Sequence, residues 1–312
     1  MRILITSIGR KVFLVRHLRE GLGAGCRVVT VDMSLRAPGR LFSDGFYQVP
    51  AIRDPGYIDR VLEIAEREKI DLIIPFKDTE LGLFAAQRDD FESIGTRLML
   101  SDAEAVLDCE DKLRTLSRFR NAGVRTPEIR TESDPPRFPA VWKQRGLGVE
   151  TSGFAVVSNE RELQAVQVMA PEGILQEYID GREYTLDVYC DHQYRPRILV
   201  PRERLALRSY VTDIGRTAPW EPFLEEVERI TQAFRLEGVI NIQVFVHGEG
   251  HTYLEINPRI SGGFHLSLQA GFDLVAALRN YLLGEDLPPG IGRYKVGLTM
   301  ARYDEAVFFE EP

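Results

Sequence analysis

The sequence predicts an α/β chain that opens with a parallel sheet and continues into a second unit of strand pairs joined by glycine turns. Three observations carry this. Apolar, β-branched runs alternate with stretches of helical period from Arg2 to Leu100, the signature of βαβ units whose helices cover both faces of a sheet. The alternation stops at Asp134-Pro135-Pro136-Arg137-Phe138-Pro139, a stiff connection. Beyond it come strand-like runs turned by Arg145-Gly146-Leu147-Gly148, Asp180-Gly181 and Gly248-Glu249-Gly250.

Each opening element follows from its residues. Arg2 to Thr6 is a β-branched strand, Val12 to Leu22 repeats apolar positions at helical spacing, and Arg27 to Val31 returns as a strand. The series continues with a helix over Tyr57 to Glu68, a strand at Asp71 to Phe76, a helix near Glu80 to Arg88 and a strand at Arg97 to Leu100. Asp32 ends the second strand where a dinucleotide-binding carboxylate would sit, but Thr6-Ser7-Ile8-Gly9-Arg10-Lys11 lacks the GxGxxG spacing such a site needs. Asp32 therefore reads as a strand-end cap or a small-molecule contact. Open α/β sheets place ligands beyond the carboxyl ends of their strands, so Lys77, Asp78 and Glu80, which follow a strand, are candidates to hold a substrate. The competing reading makes Asp78 or Thr79 a helix cap, with Glu80 in the positive first turn.

Composition narrows the function classes. The 312 residues, 44% hydrophobic and 28% charged, suit a chain of two or three packed units. Lys+Arg 39 against Asp+Glu 47 gives a net charge of −8, so no basic field draws in nucleic acid or anionic lipid. The start MRILITSIGRKVFLV has a brief apolar run without a small-residue cleavage site, and no stretch is long enough to span a bilayer. A cytoplasmic protein is expected. Cys26, Cys109 and Cys190 show no CxxC spacing, and the five histidines show no ligand spacing.

The chemistry concentrates after the proline-rich break. Asp111 to Ala122 reads as a helix ending at Gly123, Ala140 to Lys143 as a strand, and Phe154 to Val157 as its return. Between them, Gly146, Gly148 and Gly153 would let backbone amides close over a polyphosphate that Lys143 and Arg145 neutralise, although an ordinary hairpin also wants such glycines. Gln176-Glu177-Tyr178-Ile179 leads through Asp180-Gly181 to a strand from Glu183 to Tyr189. Its backbone suits an adenine edge and Glu183 suits ribose hydroxyls; the alternative is a plain hairpin with an exposed glutamate. Near the carboxyl end, Val239 to Val246 and His251 to Ile256 form two strands. Gln243, Glu255 and Asn257 offer oxygen ligands, with Glu255 and Asn257 on one side of an extended segment, as a magnesium ion shared with nucleotide phosphates requires. Arg204 and Arg208, on an arginine-rich strand, are candidates for a substrate carboxylate, unless that strand is simply solvated. Ser261, Gly262 and Gly263 either line the acceptor pocket or start the following helix.

Taken in this order, the segments resemble the ATP-grasp superfamily of carboxylate-amine ligases, most closely one synthetase half of the carbamoyl-phosphate synthase large subunit. The resemblance implies a Rossmann-like domain over residues 1–110, then two α+β subdomains that clamp ATP: a lid over 111–182 carrying the glycine-rich loop and a C-terminal subdomain over 183–312 carrying the metal site. It assigns Lys112 and Lys143 to ATP phosphates, Gln176, Glu177, Tyr178 and Ile179 to the adenine hinge, and Glu183 to the ribose. It assigns Gln243, Glu255 and Asn257 to Mg2+, with one or two ions and Mn2+ able to substitute, and Arg259 to the transferred phosphate. Gln144 replaces the usual proline after the second lysine, and Val149-Glu150-Thr151 makes the loop longer and more acidic than the family pattern.

The activity implied is transfer of the ATP γ-phosphoryl group to a small-molecule carboxylate, followed by attack of an amine on the acyl phosphate. The implied substrates are small molecules such as amino acids, and the implied assembly is a homodimer. Two other readings stay open at this point: a small-molecule kinase, and a regulatory module that binds ATP without turnover.

Overall fold

A computed structural model describes residues 1–130, 137–146, 154–208, 211–248, 250–285 and 287–310. The chain opens with β1 (Arg2–Ile5), α1 (Val12–Leu22), β2 (Arg27–Asp32), β3 (Gly45–Gln48), α2 (Tyr57–Glu68), β4 (Leu72–Ile74), α3 (Asp78–Ala86), α4 (Arg88–Ser93) and β5 (Arg97–Leu98). These strands make a parallel sheet of order β3-β2-β1-β4-β5. Ile3, Leu4 and Ile5 are all fully buried because both faces are covered. Their alternation sends Ile3 and Ile5 to a core with Leu14, Val15 and Leu18, and Leu4 to another with Val61, Ile64 and Phe84.

Two helices, α5 (Ala103–Glu110) and α6 (Lys112–Asn121), lead to the second sheet. Asp111 caps α6 by accepting from the amides of Leu113 and Arg114 at 2.8 and 3.2 Å. Next come β6 (Ile129–Arg130), β7 (Ala140–Gln144), β8 (Phe154–Val157), α7 (Glu160–Met169) and β9 (Gly173–Glu177), whose strands form an antiparallel sheet of order β6-β9-β7-β8. Its small core holds Ala140, Trp142, Val157 and Leu163. A Cβ on Gly173 would lie 2.2 Å from the Trp142 ring, so only glycine lets that indole fold down.

The third sheet contains β10 (Arg182–Cys190), β11 (Pro196–Arg208), β12 (Val211–Thr217), β13 (Gly238–His247), β14 (Gly250–Asn257) and β15 (Thr299–Ala301), in the order β14-β13-β10-β11-β12-β15. Its remaining helices are α8 (Leu224–Phe234), α9 (His265–Ala270) and α10 (Leu274–Leu283). One face carries Leu186, Val188, Ile240, Ile242 and Val244 against Phe119, Val227, Ile230 and Phe234. The other changes character along each strand: Tyr189, Ile198, Val200 and Val239 join the core of the parallel-sheet unit, whereas Thr185, Asp187, Arg202 and Asn241 are buried polar residues. That polar stretch is the floor of the site.

The plain-hairpin alternative for residues 174–189 is overturned. β9 pairs with β6 and β7, whereas β10 pairs with β11 and β13, so Tyr178 to Gly181 bridges two sheets. Gly181 is required there, because a Cβ would stand 2.8 Å from the Val246 carbonyl oxygen. Among the described residues no helix is long and apolar enough to cross a membrane.

Candidate active site

Antiparallel register builds the floor. Glu255 lies opposite Gln243, Gln243 opposite Thr185, and Thr185 opposite Arg202, so one row runs across four strands. The next row holds Asn257, Asn241 and Asp187. Asn257 donates its amide to Asn241 at 3.2 Å and turns its carbonyl oxygen to Arg259 at 3.5 Å. Asn241 in turn donates to the Arg259 carbonyl at 3.0 Å, holding the turn after β14.

The lid sheet reaches this floor through Lys143, whose Nζ meets Glu255 Oε2 at 2.5 Å. Burial alone would push the Glu255 carboxyl up, but the Lys143 ammonium, aided by Lys112 and an Asn257 hydrogen bond, outweighs it and holds the group at about 2. Lys112, at the start of α6, donates its backbone N–H to the Arg145 carbonyl at 3.1 Å, which ties the helix to the lid. Burial and then the Lys143 charge pull its ammonium below the ordinary lysine value, against the pull of Glu255, Asp78 and Asp111. The two lysines that the resemblance assigns to phosphates thus share one acidic neighbourhood.

Glu183 is ion-paired with Arg204. Burial raises its carboxyl despite that guanidinium. Arg204, expected at a substrate carboxylate, is therefore engaged with the ribose candidate. Arg208 stands apart: it is half-exposed and pairs with Asp213 at 3.1 Å and Asp304 at 2.7 Å. Arg145 is exposed and binds Asp111 through two hydrogen bonds of 3.0 and 2.8 Å. Gly146 is exposed with open space around it, and Gly148 and Gly153 lie outside the described residues. In the hinge, Gln176 and Ile179 are buried. Glu177 receives Arg125 at 3.0 Å, and its backbone N–H donates to the Glu128 carbonyl at 2.8 Å.

Four of the substrate candidates lie against protein groups. Glu80, expected at the substrate, is fully buried. Its carboxylate accepts from Thr6 Oγ1 at 2.6 Å, Ser7 Oγ at 3.0 Å, Tyr57 Oη at 2.5 Å and the amides of Phe76 and Lys77 at 2.7 and 2.9 Å. With five donors on two oxygens it clamps the loops after β1 and β4 and has no acceptor left for a ligand. Ser261 faces inward and accepts from Arg202 Nη2 at 2.8 Å. Gly262 and Gly263 do permit a close approach, but to protein: a Cβ would meet Val211 Cγ1 at 3.2 Å and Arg202 Nη1 at 2.6 Å respectively.

Sequence reasoning passed over Asp187 and Ser267, and it named Asp78 and Arg259 without pairing them; these loops rest on the two resulting ion pairs. Arg202, 1% exposed, makes a bidentate pair with Asp187, Nε to Oδ2 at 2.6 Å and Nη2 to Oδ1 at 3.2 Å, and Ser267 donates to Oδ2 at 2.5 Å. Arg259 reaches across to the first unit and pairs with Asp78 through both carboxylate oxygens, Nε to Oδ1 at 2.7 Å. The period-two alternation of β11 signals that Arg202 and Arg204 share a face, but not which of them is buried.

For a metal, the floor offers the Glu255 carboxylate beside the amide side chains of Gln243 and Asn257, while Asp187 in the next row is taken up by Arg202. Among the described residues no group of three or more His, Cys, Asp or Glu could hold an ion by itself. A hard-oxygen set with a single carboxylate fits Mg2+ completed by nucleotide phosphates, and not zinc.

A parallel-sheet unit followed by two antiparallel sheets is the ATP-grasp architecture, and the chain has that fold. Residues 3–99 match the family described as PylC-like, N-terminal domain, and residues 169–302 match the family described as ATP-grasp in the biosynthetic pathway with Ter operon. The 3-methyl-D-ornithine–L-lysine ligase of Methanosarcina barkeri is 24% identical over 242 residues, covering 76% of this chain and 61% of that protein. The carbamoyl phosphate synthase large chain of a Thermoanaerobacter species is 33% identical over 135 residues, 40% of this chain and 12% of that one. Biotin carboxylase from Campylobacter jejuni superimposes with a TM-score of 0.76 at 16% identity, covering 96% of this chain and 74% of its own.

Proposed function

We propose that the protein is an ATP-dependent carboxylate–amine ligase, which phosphorylates a small-molecule acid to an acyl phosphate and couples it to an amine with release of ADP and phosphate. The observation that carries this is the junction of Lys143 with Glu255, which brings a lysine of the second sheet onto a carboxylate of the floor that sits beside Gln243 and Asn257. Ligase relatives support the reading, one of them being named for joining 3-methyl-D-ornithine to L-lysine, and amino acids are accordingly the proposed substrates.

In this reading Lys112 and Lys143 hold the ATP phosphates, Glu183 the ribose, and residues 176–179 the adenine. Glu255, Gln243 and Asn257 hold one or two Mg2+ ions, with Mn2+ a substitute, and a bound ion offsets phosphate charge. Arg259 stabilises the spreading negative charge on the transferred phosphoryl group. Displacement by the amine then forms the C–N bond and expels phosphate, and no protein nucleophile is needed. Working boundaries at 110/111 and 182/183, a homodimer and a cytoplasmic location belong to the same proposal.

The test is ADP release from ATP and Mg2+ across a panel of carboxylic acids with and without amines, comparing the native protein with Glu255→Ala. Release that needs both partners and disappears in the variant is the expected result. Release with an acid or alcohol alone that leaves a stable phosphorylated product would make the protein a kinase. ATP binding without any release would make it a binding module.

A further inference from the structure

The parallel sheet reverses its strand order at β1, which has β2 on one side and β4 on the other. In open α/β sheets the crevice beyond the carboxyl ends at such a point is where ligands bind. Here the crevice walls are the loops Thr6–Lys11 and Pro75–Asp78, tied together by Glu80 and by the Thr6 amide donating to the Ile74 carbonyl at 3.3 Å. Lys11 stands in this crevice, its Nζ 4.6 Å from the centre of the Phe76 ring.

The carboxylates around Lys11 are committed elsewhere. Glu80 is saturated by five donors. Asp32 accepts the amides of Gly9 and Ser34 at 2.9 Å each. Asp78 holds Arg259. Among the described residues the Lys11 ammonium has one hydrogen bond, to the Ser7 carbonyl at 2.8 Å, and no salt bridge. Burial lowers it to about 8, and the strongest charges acting on it come from Glu80, Lys77, Arg259 and Asp32. A half-buried cation without a carboxylate, flanked by two further cations, is a seat prepared for an anion.

Arg259 links this crevice to the Glu255 floor: it pairs with Asp78, at the end of the Pro75–Asp78 wall that carries Phe76, and its Nη2 lies 3.5 Å from Asn257 Oδ1. An acid whose reacting carboxylate lies at Arg259 therefore presents its far end to Lys11. We infer that the crevice between β1 and β4 seats a second anionic group of the acid substrate, so that the acceptor is a dianion, either a dicarboxylic or a phosphorylated carboxylic acid, with Lys11 as a binding residue. This rests on the ligase reading for the reacting end, but not for occupancy of the crevice.

Two readouts test it. The first is amine-selective acylation of the intact protein, quantified at Lys11 by peptide mass spectrometry, with succinate, glutarate, L-glutamate and 3-phosphoglycerate, which carry two anionic groups, against butyrate, L-alanine and glycerate, which carry one. At least one acid with two anionic groups is expected to protect Lys11 while those with one do not. Absence of protection by every acid with two anionic groups overturns the inference. The second is ADP release with the protecting acid for native protein, Lys11→Met and Lys11→Arg. A charge-assisted contact predicts that Lys11→Met raises KM for that acid about tenfold or more, with partial rescue by arginine and unchanged ATP affinity. An unchanged KM with a lowered kcat and a lost inflection near pH 8 would make Lys11 a proton-transfer group instead. Protection without ADP release would leave the crevice in place and sink the ligase reading alone.

Discussion

Replacing Lys143 by methionine isolates the charge that keeps Glu255 ionised. The carboxyl is held at about 2 against an ordinary 4.5, and the Lys143 ammonium 2.5 Å away is the largest of the forces opposing burial. Such a displacement corresponds to about 3 kcal/mol of stability at neutral pH, an upper value because the Glu255 side chain is 24% exposed. The folded value lies below the unfolded one, so the contribution is complete above pH 4.5 and is lost as pH falls from about 4.5 towards about 2. Roughly 2 kcal/mol of it disappears between about pH 5 and about pH 3. In Lys143→Met, burial acts on Glu255 against Lys112 and Asn257 alone, and the acid-dependent loss shrinks or vanishes. Urea denaturation at several pH values, comparing native protein, Lys143→Met and Glu255→Gln, measures this directly. Identical pH slopes in the native and Lys143→Met proteins would refute the assignment of that ion pair as the source of the shift.

Arg202→Met leaves the buried Asp187 carboxylate with only Ser267 as a donor and is expected to cost about 3–5 kcal/mol in urea denaturation, most of it recovered by adding Asp187→Leu. Simple additivity of the two losses would contradict a coupled pair. Gly263→Ala drives a methyl to 2.6 Å from an arginine that Asp187 and Ser261 hold in place. It should cost about 1–3 kcal/mol and lower the melting temperature, whereas Gly146→Ala, in open space, should not. Asp78→Asn removes the carboxylate that aims Arg259. A fall in kcat with unchanged ATP affinity is expected in the ADP-release assay, and a pure loss of ATP affinity would place Arg259 elsewhere.

Local pattern carried the opening of the molecule and lost its long-range pairings. The helical spacing of Val12–Leu22 and Tyr57–Glu68 matches α1 and α2 to the residue, because each buries one apolar stripe on an adjoining strand. The strand β3, GFYQ, went unread: four residues with no buried member give no usable alternation. The separation of β9 from β10 was equally invisible, since both look like good strands and their partners lie at distant positions. Glu80 reads locally as a first-turn acid at the mouth of a strand. Only the return of Thr6 and Ser7, more than seventy residues earlier, turns it into a clamp. Glu255, Asn257 and Gln243 were legible as a set because two lie on one strand at period two and the third on the strand read as its hairpin partner. Asp78 with Arg259 was not, since the partners are 181 positions apart.

Three cations of the site are each held by an acid from another element: Lys143 by Glu255, Arg204 by Glu183 and Arg259 by Asp78. Leaving such groups half-buried and unpaired would cost several kcal/mol apiece, so these residues satisfy one another. The arrangement has a consequence for ligand order. A polyphosphate that draws Lys143 away from Glu255 strands a carboxylate that is ionised and largely enclosed, and the loss opposes nucleotide binding unless a cation takes the lysine's place. In the proposed function Glu255 trades its ammonium for Mg2+ while Lys143 trades its carboxylate for phosphate, so the number of paired charges is conserved and the two ligands bind more tightly together than apart. Arg259 faces the same exchange at the other end of the site, giving up Asp78 only when phosphate charge is offered to it. Lys11 has no carboxylate to give up, which is why the anion-seat reading falls on it and not on the paired arginines.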